Sequence, residues 1–224
     1  MKDRKRTLEL MGMMLVFCLM MAVVDGILMA NYFLKSGIKL VLFLGIPLFY
    51  SRVRKGLELK PLFLFKKRNI FLALWLCIPV YAGILGGYFL FRNIFDFSGI
   101  TKSLTQNIGV DRGNFLFVSL YISFVNSLLE EFFFRGFGFL TLKQVVPRRV
   151  AYGFSAFVFA VYHVAMMIGW FSLSVFAIVL TGLFLGGLLF NYLDEKTGTI
   201  YPSWFVHMFA NFAINTIGFI LFGV

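Results

Sequence analysis

Two histidines, two neighbouring glutamates and an arginine lie inside long apolar runs of this 224-residue chain. Glu130, Glu131 and Arg135 interrupt the stretch LLEEFFFRGFG, Leu128 to Gly138. His163 sits in FAVYHVAMM and His207 in WFVHMFANF, and the chain has no third histidine. Ionisable side chains inside such runs are rare and mark functional sites, because charge is expensive in an apolar medium. A buried carboxylate can act as a general base. An imidazole and an amide aimed at one point can stabilise a developing oxyanion. The expectation is a shared site built from Glu130, His163 and His207.

Helical periodicity divides the work within the motif. Glu131 and Arg135 are i, i+4 neighbours and form a pair on one face. Glu130 points about 100° away and has no cation on its own helix. Glu131–Arg135 therefore reads as support and Glu130 as the chemical group. His207, Asn211 and Asn215 share a second helical face at i, i+4 and i+8. That face could supply oxyanion donors, fill part of a metal shell or clamp a neighbouring helix.

The elements that carry these residues are membrane spans. The chain is 60% hydrophobic and only 14% charged, well outside the range of soluble domains. Runs of about 20 apolar residues predict an all-α, polytopic bundle of about seven spans, a single transmembrane domain over 1–224. They begin near Leu8, Ile38, Asn69, Asn114, Arg149, Phe171 and Ile200. The second, Ile38 to Tyr50, is the weakest because it is short and holds Pro47. The net charge of +11 does not indicate nucleic-acid binding. Its lysines and arginines cluster between spans at KDRKR, SRVRK, KKR and PRR. This is the pattern of cytoplasmic loops and puts the N-terminus in the cytoplasm.

Further readings concern packing and depth. Gly83/Gly87 and Gly182/Gly186 have the spacing of close helix contacts. Asp25, late in the first span, reads as an interfacial residue reaching water. Cys18 and Cys77 suggest neither a disulfide framework nor a metal motif. At about 1.5 Å per residue, Glu130 and His163 lie roughly 20 Å from the cytoplasmic ends of their spans and His207 roughly 10 Å.

The order EExxxR at Glu130–Arg135, FxxxH at Phe159–His163 and HxxxN at His207–Asn211 resembles the CPBP family. These are the CAAX-protease and bacteriocin-processing membrane proteins, also called Abi and typified by the Ras-converting CAAX endopeptidases. The likeness covers Asn114 to Val224, where a catalytic core is expected over 114–224. It implies an intramembrane endopeptidase, multi-pass in the cell membrane, cleaving a peptide or membrane-associated protein substrate. By position, Glu130 and His163 would activate water, and His207 and Asn211 would stabilise the oxyanion. Glu131, Arg135 and Phe159 would support them.

The family is described both as metalloprotease and as glutamate-dependent, so the cofactor is either none or one zinc ion. Glu130, His163 and His207 match the three protein ligands of a hydrolytic zinc site. HxxxN, read as an oxyanion pair, favours the metal-free form. Other intramembrane proteases fit less well: HExxH is absent, and Gly153-Phe154-Ser155-Ala156 lacks the last glycine of GxSG. The competing functions are a non-catalytic immunity or regulatory protein of the same fold and a proton-relay transporter.

Overall fold

Apolar runs in a hydrocarbon solvent must satisfy their backbone polar groups internally, and this chain does so with helices. The computed structural model describes residues 3–28, 30–54, 57–65 and 67–223, with no strand among them. Lys2, Lys55 and Lys66 of the basic segments lie outside the described residues. The main helices are α1 (Arg4–Gly26), α2 (Tyr32–Val53), α3 (Lys67–Phe91), α4 (Phe115–Leu140), α5 (Arg148–Tyr162), α6 (Leu173–Thr197) and α7 (Tyr201–Phe222). Among the described residues six are long and apolar enough to cross a bilayer. The exception is α5, with 15 residues.

The second span is longer than its apolar core suggests. Asn31 caps it, its side chain accepting from the Leu34 amide at 2.9 Å. The helix then runs past Lys35, Lys39 and Pro47 to Val53. Pro47 follows a π-helical turn at Val41–Gly45, which absorbs its missing N–H.

Side-chain and backbone contacts sort the connections onto two ends of the bundle. At one end Arg54 pairs with Glu9, and Arg148 with Glu195. The Leu62 carbonyl there accepts from the Ile200 amide at 3.1 Å. At the other end Gly99 packs on the carbonyls of Gly169 and Trp170. This gathers the α1 start and the α2–α3, α4–α5 and α6–α7 connections on one side, as seven alternating crossings require.

The centre of the bundle is the second half of α4. Every residue from Leu129 to Leu142 is buried, and a helix apolar all round belongs in a core. Phe133 stacks on Phe43 with centroids 4.0 Å apart, and Phe132, Phe134, Phe137 and Phe139 are equally enclosed. Two glycines allow this density. A Cβ on Gly138 would lie 2.7 Å from Met14 of α1, and one on Gly136 would lie 2.9 Å from Leu62.

Two π-helical stretches, Ile122–Asn126 and Glu131–Leu140, widen α4. Neighbouring helices bond to carbonyls on these stretches or beside them. Trp204 Nε1 donates to Phe124 O at 3.1 Å, Ser155 Oγ to Phe134 O at 2.9 Å, and Asn215 Nδ2 to Ser119 O at 3.1 Å. The glycine pairs read as packing motifs do not serve that purpose: Gly83, Gly87, Gly182 and Gly186 have open space where a Cβ would stand. Close approach falls instead to Gly187, against Ala156, and Gly218, against the Phe115 ring.

Candidate active site

Four helices converge on Glu130. Its Oε1 accepts from Lys39 Nζ of α2 at 2.5 Å and from Asn126 Nδ2, one turn earlier on α4, at 3.0 Å. Lys39 also donates to Asn126 Oδ1 at 2.5 Å, closing a three-membered network. Oε2 faces the other way, buried, with no hydrogen-bond partner among the described residues. His163 Nε2 of α5 and His207 Nε2 of α7 each stand 3.7 Å from that oxygen.

The far side of each imidazole fixes its orientation. His163 Nδ1 lies 2.8 Å from the Phe159 carbonyl. A carbonyl only accepts, so Nδ1 carries the proton, and in the neutral ring Nε2 presents a lone pair to Glu130. His207 Nδ1 lies 2.7 Å from Glu131 Oε1 and donates to that carboxylate. His163 follows directly on α5, which ends at Tyr162, so the imidazole stands at a helix terminus beside Glu130.

Glu131 and Arg135 sit in a dry shell beneath the site. Arg135 Nε is 3.4 Å from Glu131 Oε2, and both side chains are fully buried. The guanidinium lies 3.9 Å from the Phe159 ring centroid and 4.9 Å from that of Phe190, in cation–π contact with both. Phe190 of α6 stacks on His207 at 5.3 Å, and Phe159 meets His163 edge-on at 4.7 Å. The two aromatic rings thus link the arginine to both imidazoles.

The structure alters the sequence reading in several places. His207 is level with His163 rather than nearer the membrane surface. The start of α7 is tucked inside the protein: Ile200 is fully buried under Leu62, and buried Asp194 binds the amide and hydroxyl of Ser203. Counting inward from Ile200 therefore underestimates depth. Asn211 donates to the Ile122 carbonyl at 3.2 Å, clamping α7 to α4, and Asn215 does likewise one turn on. Asp25 is paired with Lys35 at 2.5 Å, and its side chain is buried rather than reaching water. Glu130 has a cation after all, supplied by another helix. Lys39, at 3% exposure, escapes a reading that starts the second span at Ile38 and so leaves the lysine at its edge. The rule that singled out Glu130, an ionisable residue within an apolar run, applies equally to KSGIKLVLFLG.

Zinc fits this donor set poorly. An ammonium 2.5 Å from Glu130 Oε1 repels a divalent ion brought to the same carboxylate. Among the described residues no group of three His, Cys, Asp or Glu is arranged to hold a metal ion.

Residues 112–213 match a family model described as Type II CAAX prenyl endopeptidase Rce1-like. Over this segment, just under half of the chain, the protein is similar to the CAAX prenyl endopeptidases. No curated protein and no solved structure matches the chain. The CAAX-protease segment contains Glu130, Glu131, Arg135, Phe159, His163, His207 and Asn211, and it excludes Lys39. With six apolar helices of spanning length among the described residues, the protein is an integral, multi-pass membrane protein.

Proposed function

We propose that the chain is an intramembrane endopeptidase that hydrolyses a peptide bond in a membrane-associated peptide or protein. The observation that carries this reading is the pair of Nε2 atoms, each 3.7 Å from the one unpaired oxygen of Glu130. That separation is too long for a direct hydrogen bond and suits one water molecule shared among the three atoms.

Proton arithmetic assigns the roles. A water has two hydrogens and here meets three acceptor atoms if both rings are neutral. All contacts are satisfied when one ring carries a second proton. His207, whose Nδ1 already donates to Glu131, is assigned the second donor, Nε2–H. The water gives its hydrogens to Glu130 Oε2 and His163 Nε2. Its oxygen attacks the substrate carbonyl carbon as Glu130 takes the proton. The carbonyl oxygen becomes an oxyanion facing His207 Nε2–H, with the Asn211 hydrogen not given to Ile122 as a second donor. Breakage of the C–N bond returns the proton from Glu130 to the leaving amine.

The test is cleavage of a library of membrane-anchored and free peptides by purified protein in detergent, read by mass spectrometry. Wild type is compared with Glu130→Gln and His163→Ala. Cleavage by wild type, reduced about 10²- to 10⁴-fold in Glu130→Gln, is the expected result. Equal cleavage by Glu130→Gln would overturn the reading. So would a silent wild type whose cellular phenotype Glu130→Gln still restores; that result would point to a binding role.

A further inference from the structure

Lys39 belongs to the half of the chain that the CAAX-protease match does not cover, yet it makes the shortest polar contact to Glu130. Its side chain is 4% exposed and that of Glu130 3%. A lysine buried to this degree is stable only beside an opposite charge. The ammonium also lies 5.0 Å from the Tyr162 ring centroid and 5.4 Å from that of Phe43. Both rings are in cation–π range of the ammonium. The next cation on α2, Lys35, is occupied by Asp25, so Lys39 alone serves Glu130 from this helix.

The two oxygens of Glu130 are treated differently. Lys39 and Asn126 both hold Oε1, which fixes the rotation of the carboxylate. Only Oε2 is left to face the imidazoles. Around Glu130 the charged and titratable groups are Cys18 on α1, Tyr32 and Lys39 on α2, Tyr162 and His163 on α5, His207 on α7, and Glu131 and Arg135 on α4 itself. Arg135 is held by Glu131 and its aromatic cage. The imidazoles are needed neutral, or shared with Glu131, for the chemistry at Oε2. Among the described residues Lys39 is therefore the cation held directly on the Glu130 carboxylate.

We propose that Lys39 is a positioning residue of the active site: it holds Glu130 ionised, with Oε2 turned toward His163 and His207, and it is contributed by the amino-terminal half of the protein. The catalytic part of this inference rests on the endopeptidase reading; the charge-pair part does not. By implication the CAAX-protease segment is incomplete without α2.

The experiment has two independent readouts. Lys39→Met keeps the length of the side chain, and Lys39→Gln keeps a donor but loses the charge. Thermal unfolding in detergent selects whichever variant is folded. The first readout is infrared absorption of carboxyl groups in protein without substrate. The expected result is an additional protonated-carboxyl C=O band in the difference between the Lys39 variant and wild type at neutral pH, lost in the double variant that adds Glu130→Gln. No such band would overturn the proposal, whether or not the protein is a protease. The second readout is cleavage: a fall in kcat of at least about 10-fold with KM little changed. If Glu130→Gln abolishes cleavage while the Lys39 variant turns over like wild type, the positioning role fails and the endopeptidase reading stands. If Glu130→Gln is fully active but the infrared band appears, the endopeptidase reading fails and the charge pair stands.

Discussion

Glu130 and Glu131 are adjacent in sequence, equally buried, and surrounded by opposite kinds of environment. Glu130 is held on one oxygen by an ammonium and an amide, and its other oxygen faces two imidazole edges across a gap of 3.7 Å. Glu131 has no such opening. One of its oxygens binds His207 Nδ1 and the other faces Arg135, within a shell of Phe159 and Phe190. A rotation of about 100° along one helix separates a carboxylate whose free oxygen faces two imidazoles from one set between an imidazole and a guanidinium. Residue type alone does not decide which glutamate does chemistry. The decision lies in what the facing helices leave open.

The difference can be broken at several points. The largest expected effect is that of Glu130→Gln, which keeps the shape and the contact with Lys39 but removes the base. Activity per folded molecule should fall about 10²- to 10⁴-fold in a steady-state cleavage assay, and the unfolding midpoint should fall because the buried Lys39 loses its counter-charge. His207→Ala comes next, removing the oxyanion donor. A kcat loss of about 10²- to 10³-fold is expected from the same assay.

Arg135→Met attacks the dry shell instead. It leaves Glu131 as a buried charge with only His207 to answer it, and should destabilise the protein by about 3–5 kcal/mol in equilibrium unfolding. Whatever folds should retain more activity per molecule than Glu130→Gln. The smallest effects separate true packing glycines from apparent ones. Gly138→Ala drives a methyl against Met14 and a carbonyl and should cost about 1–3 kcal/mol. Gly83→Ala and Gly87→Ala face open space and should stay within about 0.5 kcal/mol of wild type.

The parts of the site legible in the sequence were those that follow from local periodicity. The i, i+4 spacing of Glu131 and Arg135 and the divergence of Glu130 both survive in α4, even though it is π-helical beyond Glu131. The two histidines stood out because no others exist and both interrupt apolar runs. What escaped depends on how helices are set against one another. The depth of His207 depends on Leu62 and Asp194 drawing the start of α7 inward. The engagement of Asn211 depends on a carbonyl in the widened turn of α4. Lys39 meets Glu130 from 91 residues away, a pairing no local pattern encodes. The phenylalanines after Glu131 resemble a lipid-facing surface, yet they form the centre of the bundle because Gly136 and Gly138 let other segments close over them.

The central claim is that Glu130, and not Glu131, carries the reacting proton. The most direct measurement compares Glu130→Gln and Glu131→Gln in one cleavage assay, with each rate divided by the amount of folded protein. The account predicts a nearly silent Glu130→Gln and a Glu131→Gln that keeps at least about 10-fold more activity per folded molecule. Equal losses in the two variants, or the greater loss in Glu131→Gln, would contradict it.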